Sequence, residues 1–387
     1  MKVLFYCDTV FGYGGVERVL AELAKELTKR HDVTILTTDS RKNYAMYGYN
    51  QSEVKFDFIE YSQSSKKENF ICKGYSFLYK RLLPHNRFTS WLYGKSFFLP
   101  SYRNKLVQKI NDGHYDVVIG VHAYLALHLT SICHRIHAMT IGWMHNSFEA
   151  FFEKENPYLP DLKDFFRHRM RLLDGIVVLS QADAVRYEKE LNLNATVIYN
   201  PLTVIPGEKG KLGYQKFLAV GRFAQGHKGF DILIKAFALF ARNNSDWTLE
   251  IVGEGPEESM YRSLISEYGL ENRIKLCPFT DYIQKHYSEA SVYVLSSRWE
   301  GFGLVLVEAM SHGLPIIASR LPVTRELLEP RKVALFFESE NVEHLAEQMH
   351  YIVREADWNQ MSCEAISYSK DFMIDNISKV WEDLLNG

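Results

Sequence analysis

No apolar run in this sequence reaches the roughly eighteen residues that a membrane-spanning helix requires, so any bilayer contact is expected to be peripheral. Cysteine is scarce. Cys7, Cys72, Cys133, Cys277 and Cys363 are scattered, odd in number and without metal-ligand spacing. That excludes a disulfide-stapled scaffold and points to a reduced, cytoplasmic setting. Charge of one sign is lacking too: 45 Lys and Arg face 47 Asp and Glu, a net of −2. Nucleic acid is therefore not expected as a partner. Neither HExxH nor an Asp-x-Asp pair occurs, so no metal site is expected. The dinucleotide fingerprint GxGxxG is absent, which argues against a nicotinamide dehydrogenase. A secretory leader is not expected either, because Met1-Lys2 passes directly into the short apolar stretch 3–7, which reads as a first strand.

What is present is an alternation of short apolar strands and amphipathic helices. The strand at 3–7, the loop 8–15, the helical spacing of Val16, Leu20, Leu23 and Leu27, and the strand at 33–37 form a βαβ unit. Further strands are read at 54–59, 116–120, 140–144, 175–180 and 196–199. Residues 201–216, with Pro201, Pro206, Gly207, Gly210 and Gly213, read as a linker. A second series follows, with strands at 217–221, 248–252, 274–277, 291–295 and 315–318. At 387 residues and 47% apolar content, two cores are expected. The fold class is α/β, with two Rossmann-like parallel-sheet domains facing a cleft at the carboxyl ends of their strands. The first domain is assigned 1–200 and the second 217–369.

Several constellations carry chemistry. Gly12-Tyr-Gly14-Gly15 lies between strand and helix, where backbone can approach a ligand and a helix N-terminus favours phosphate. A plain tight turn is the competing reading. Arg222 and Lys228 flank a loop after the strand 217–221, and two cations there can clamp a diphosphate. The alternative is a solvated charged loop. Glu300 and Glu308 bracket Gly301-Phe302-Gly303-Leu304 and the start of a helix. The backbone of 301–304 can meet phosphate, and the two acids can accept hydroxyls of different parts of one ligand. Glu308 sits among apolar neighbours, where an unpaired carboxylate would be costly. His122 and His145 follow two strands and are expected at the cleft mouth. Residues 66–109 hold ten Lys or Arg against the single acid Glu68, interleaved with aromatics. Such a face suits an anionic membrane, though buried aromatics under a solvated basic layer would give the same composition.

These residues resemble the retaining glycosyltransferases of family 4, which have the GT-B fold. The resemblance spans the chain. It is strongest through Val220-Gly221-Arg222-Phe223, Lys228-Gly229, Ile251-Val-Gly-Glu-Gly-Pro256, the 300–308 segment and Gly313-Leu-Pro315. It implies that Gly14 and Gly15 form a loop near donor phosphates and acceptor. Arg222 and Lys228 would be the diphosphate clamp, and Glu300 the contact to the donor sugar. Phe302, Gly303 and Leu304 would bind phosphate, Glu308 the ribose, and His122 would lie near the transferring sugar. It further implies a helix within 370–387 that packs back on the first domain. The first domain would bind acceptor and the second the donor. The implied activity is metal-independent, retaining transfer of a hexose or N-acetylhexosamine from a UDP-sugar to a glycan or lipid-linked acceptor in surface-glycan synthesis. No cofactor beyond the donor is implied. The setting would be the cytoplasm or the inner membrane face.

This sequence departs from the family pattern at Ser311-His-Gly, and at Cys277-Pro-Phe279, where a glycine is usual. The second departure puts the base contact in doubt. Two other classes compete: a non-hydrolysing UDP-N-acetylhexosamine epimerase of similar fold, and a sugar-nucleotide-binding protein without activity.

Overall fold

The computed structural model describes residues 1–60, 66–224 and 226–387, with the side chains of 66–69 left aside. The chain divides into two compact units. The first comprises Met1–Pro201 and Ile374–Gly387, the second Leu202–Met373.

In the first unit, β1 (Lys2–Cys7), β2 (Asp32–Thr37), β3 (Lys55–Phe58), β4 (Val117–Val121), β5 (Met139–Trp143), β6 (Gly175–Val178) and β7 (Thr196–Val197) form one sheet. Its order is β3-β2-β1-β4-β5-β6-β7, with parallel pairing throughout. Parallel strands covered on both faces must be apolar along their whole length. β1 shows this, because Val3 to Tyr6 are all fully buried. The helix Ile374–Asn386 belongs to this unit. Its Trp381 is fully buried, with its ring 4.8 Å from that of Trp143 in an edge-on contact, and Glu382 pairs with Arg30.

In the second unit, β8 (Lys216–Val220), β9 (Thr248–Val252), β10 (Ile274–Cys277), β11 (Val292–Leu295), β12 (Ile316–Ser319) and β13 (Ala334–Phe337) pair in the order β10-β9-β8-β11-β12-β13, again all parallel. The helices Phe230–Ala241 and Val342–Arg354 share one core with this sheet, through Phe237, Leu345 and Met349 against Phe217, Leu249 and Ile251. The segment after Pro201 is hydrogen-bonded onto this unit. Leu202 donates to the Phe372 carbonyl, Gly207 to His312 Nε2 and Gly210 to the His312 carbonyl.

Residues 66–109 are mostly helical, as Lys66–Arg81, Arg87–Phe97 and Pro100–Gly113. Their aromatics divide. Tyr79, Tyr93, Phe98 and Tyr102 are buried, whereas Phe70 is 81% exposed and Phe77, Leu82, Phe88 and Trp91 are exposed with it. Among the described residues, no helix is long and apolar enough to cross a membrane.

Candidate functional site

β8 and β11 are hydrogen-bonded neighbours running in the same direction. The loops that follow them therefore leave the carboxyl edge of the sheet side by side, where open α/β sheets hold ligands. The two loops are fastened together at several points. Ser296 Oγ donates to the Lys228 carbonyl at 2.8 Å, and the Arg298 amide donates to the His227 carbonyl at 2.9 Å. The Arg298 guanidinium reaches both oxygens of Asp231, and the His227 ring stacks on Trp299 at 4.6 Å. Gly229 sits in the left-handed region (φ 59°), and a Cβ there would lie 2.0 Å from the Ser296 carbonyl oxygen. Only glycine permits that approach.

This fastening brings Lys228 to Glu300. Lys228 Nζ donates to Glu300 Oε1 at 2.6 Å, and the same oxygen accepts from Ser297 Oγ at 2.7 Å. The side chains are 14% and 6% exposed. Burial alone would raise the Glu300 carboxyl, but the charge of Lys228, with His227 and the hydrogen bonds, outweighs it and holds the group below the usual carboxylate range. The sequence assigns Lys228 to phosphate and Glu300 to sugar hydroxyls, and the structure pairs them with each other. Ser297, which shares Glu300, escaped the sequence reading, although its place three residues earlier is a signal. Arg222 lies exposed at the start of the same loop, while Gln225 lies outside the described residues.

Beyond Glu300 the chain passes Gly301 and the buried Phe302 to Gly303, which caps the helix Leu304–Ser311 in the left-handed region (φ 83°). The amides of this turn begin the helix and carry its positive end. Glu308 is 1% exposed. Its Oε2 accepts from Tyr287 Oη at 2.8 Å and its Oε1 from Thr203 Oγ1 at 3.3 Å. The sequence reading treats an unpaired Glu308 as costly and turns it toward a ligand; in the structure, hydroxyls from a distant helix and from the segment after Pro201 already pair it.

In the first unit, β1 and its neighbour β4 carry the other candidates. Gly14 caps the helix Gly15–Leu27 in extended conformation. Asp39 braces the preceding loop, accepting from the amides of Val10 and Phe11 at 3.0 and 2.8 Å and from Arg41. Burial opposes ionisation of Asp39, but the Arg41 guanidinium and these amides hold its carboxyl far below the ordinary range. Glu17, which the sequence reading passed over, accepts from Thr9 Oγ1 at 2.7 Å, and a Cβ on Gly14 would come within 2.2 Å of its Oε2. An acceptor over the glycine loop suits a hydroxyl neighbour better than a phosphate oxygen.

His122 follows β4 with φ 87° and ψ 151°, a region otherwise nearly restricted to glycine. Its Nε2 lies 3.0 Å from Asn146 Nδ2, and its ring meets Phe151 edge-on. Burial lowers its pKa from the ordinary imidazole value, favouring the neutral ring. His145, expected beside it at the mouth, is instead enclosed. It is 7% exposed, packs 4.2 Å from the Trp143 ring, and burial pushes its pKa well down.

Residues 13–204 match the family model described as Glycosyltransferase Family 4, and residues 205–369 the model described as Glycosyl transferases group 1. An uncharacterized glycosyltransferase of Haemophilus influenzae is 26% identical, covering 99% of each chain. The lipopolysaccharide 1,6-galactosyltransferase of Salmonella typhimurium is 24% identical, covering 85% of this chain and 83% of that one. The crystal structure of Anabaena HepE in complex with UDP and glucose has a TM-score of 0.73 at 17% identity, with 99% of each chain covered. That likeness gives the fold as GT-B.

Proposed function

Since this chain belongs to glycosyltransferase family 4, we propose that it transfers a hexose or N-acetylhexosamine from a UDP-sugar to a hydroxyl of a glycan or lipid-linked acceptor, with retained anomeric configuration, in surface-glycan synthesis. The observation that carries this is the buried Lys228–Glu300 pair beside the amides that start the helix Leu304–Ser311. A diphosphate competes for Lys228 and, once bound, frees Glu300 to accept sugar hydroxyls. Arg222 adds a second cation, and the amides of Gly301, Phe302, Gly303 and Leu304 donate to phosphate. The departing diphosphate is neutralised by these groups, without an essential metal. Its oxygen takes the acceptor proton on the face from which it leaves. Glu308 reads ribose, exchanging the Thr203 or Tyr287 hydroxyl for a ligand hydroxyl. The first unit takes the acceptor, with Gly14, Gly15 and the neutral His122 beside the transferring sugar. Support for a UDP donor and a surface-glycan acceptor comes from what the relatives are described as binding and making.

The exposed Phe70, Phe77, Leu82, Phe88 and Trp91, with Lys73, Lys80, Arg81, Arg87 and Lys95 in the same helices, suit peripheral contact with an anionic bilayer at the inner face of the cytoplasmic membrane.

Labelled UDP-sugars incubated with enzyme and a membrane-lipid fraction test the reaction. A labelled glycolipid carrying the donor's anomeric configuration by proton NMR is expected. Interconversion of UDP-N-acetylhexosamines without acceptor would replace transfer with epimerisation, and loss of activity in chelator with recovery in magnesium would overturn metal independence. Unchanged affinity for anionic vesicles after neutralising the five named cations would remove the membrane contact.

A further inference from the structure

A second polar cluster lies in the same unit and shares no residue with the Lys228–Glu300 pair. Leu249 and Ile251 turn from β9 into the core, so Glu250 between them projects from the opposite face of the sheet. It is 6% exposed. Glu250 Oε1 accepts from Cys277 Sγ, at the end of β10, at 3.1 Å, and it lies 2.9 Å from His286 Nδ1, in the helix Ile283–Ser288. Glu250 Oε2 is held separately, by Lys216 Nζ at 2.9 Å. One donor atom from each of Glu250, Cys277 and His286 lies within 4.8 Å of the other two.

We propose that Glu250, Cys277 and His286 form a binding site for a thiophilic divalent cation of the zinc class, joining β9, β10 and the helix Ile283–Ser288. A thiolate, an imidazole and a carboxylate are the donor set such a cation prefers. Tetrahedral zinc ligands stand about 3.3 to 3.5 Å apart, so the donors need to spread by only a few tenths of an ångström from the distances to Glu250 Oε1. Lys216 takes the outer oxygen of Glu250 and leaves Oε1 as the ligand atom, the kind of outer partner that orients a metal carboxylate. The two anionic ligands balance the cation. Lys216 is balanced in turn by Glu289, 3.9 Å away. The His286 side chain is 22% exposed, which gives an entry path from solvent. On binding, the Cys277 S–H bond breaks, its proton passes to water, and the sulfur lone pair bonds the metal. The imidazole presents its Nδ1 lone pair, with the proton on Nε2. The 250, 277 and 286 spacing matches no short motif, because each ligand comes from a different element.

Cobalt(II) titration of the full-length protein, after chelation and removal of the chelator, tests this. One equivalent of cobalt is expected to give a thiolate charge-transfer band in the near ultraviolet and tetrahedral visible bands, both displaced by zinc. Cys277→Ser should abolish the near-ultraviolet band, and His286→Gln should weaken cobalt binding at least tenfold. Cys363→Ser, at an exposed cysteine, should leave both unchanged. Circular dichroism keeps folding separate from binding, and His286→Gln serves if Cys277→Ser does not fold. A silent titration, or a band that survives Cys277→Ser in folded protein, would overturn the site. Neither outcome bears on the transferase proposal, since no sugar nucleotide is present.

Discussion

Glu300 stays ionised in its buried position because Lys228 lies against it. Removing one partner of such a pair strands the other, at a cost of about 3 kcal/mol. Lys228→Met should therefore lower stability at neutral pH by roughly that amount. The pH dependence has a definite sign. The folded carboxyl of Glu300 is depressed, so its stabilisation is present above the unfolded carboxyl value and is lost as pH falls through the folded one. The gap between wild type and Lys228→Met in urea unfolding should be widest near neutrality and shrink in acid. A gap that widened in acid would contradict the pairing. His122 makes the opposite kind of case, since its backbone conformation costs about 1–3 kcal/mol in a non-glycine residue. His122→Gly should be more stable than His122→Ala by about 1 kcal/mol or more, while both lose transfer activity by a hundredfold or more. Equal stability of the two variants would remove the strain. At this scale the sequence was partly readable. Glu300 and Glu308 stand out because the glycines and apolar residues around them are local. Their partners Lys228, Thr203 and Tyr287 come from other elements, so the local sequence does not reveal them.

The strands were legible because parallel strands covered on both faces are uninterrupted apolar runs, as in β1, β4 and β11. The three helices between residues 66 and 113 were not, because their aromatics serve two surfaces at once. Tyr79 and Tyr93 stack at 4.3 Å within the core, while Phe70 and Trp91 face outward. Composition records the aromatic excess without saying which face owns it. The contact between the loops after β8 and β11 also belongs to this scale, and Gly229 is its narrowest point. Gly229→Ala combines a left-handed backbone with a Cβ placed 2.0 Å from a carbonyl oxygen. It should cost more than about 1 kcal/mol in thermal unfolding and should weaken nucleotide binding by separating Lys228 from Glu300. Unchanged stability with unchanged nucleotide affinity would show that the loops do not depend on this contact.

Across the whole chain, the last helix is far in sequence from the unit it completes. Trp381 and Trp143 bury each other across that separation. Trp381→Ala should destabilise the first unit by about 3–5 kcal/mol, read as faster hydrogen exchange in β4 and β5 with β8 and β11 unaffected. Equal acceleration in both sheets would contradict the assignment of this helix to the first unit. The two-sheet architecture was readable because strand–helix alternation restarts after residue 216. The cluster of Glu250, Cys277 and His286 was not, because it depends on which residues of β9, β10 and a neighbouring helix share one face. The central claim is that Lys228 and Glu300 serve a sugar nucleotide. Its most direct test is the turnover number for UDP-sugar transfer by Glu300→Gln beside wild type, with folding matched by circular dichroism. A fall of a hundredfold or more, with UDP affinity kept within a few fold, is the predicted result. Transfer at the wild-type rate by a folded Glu300→Gln protein would contradict it.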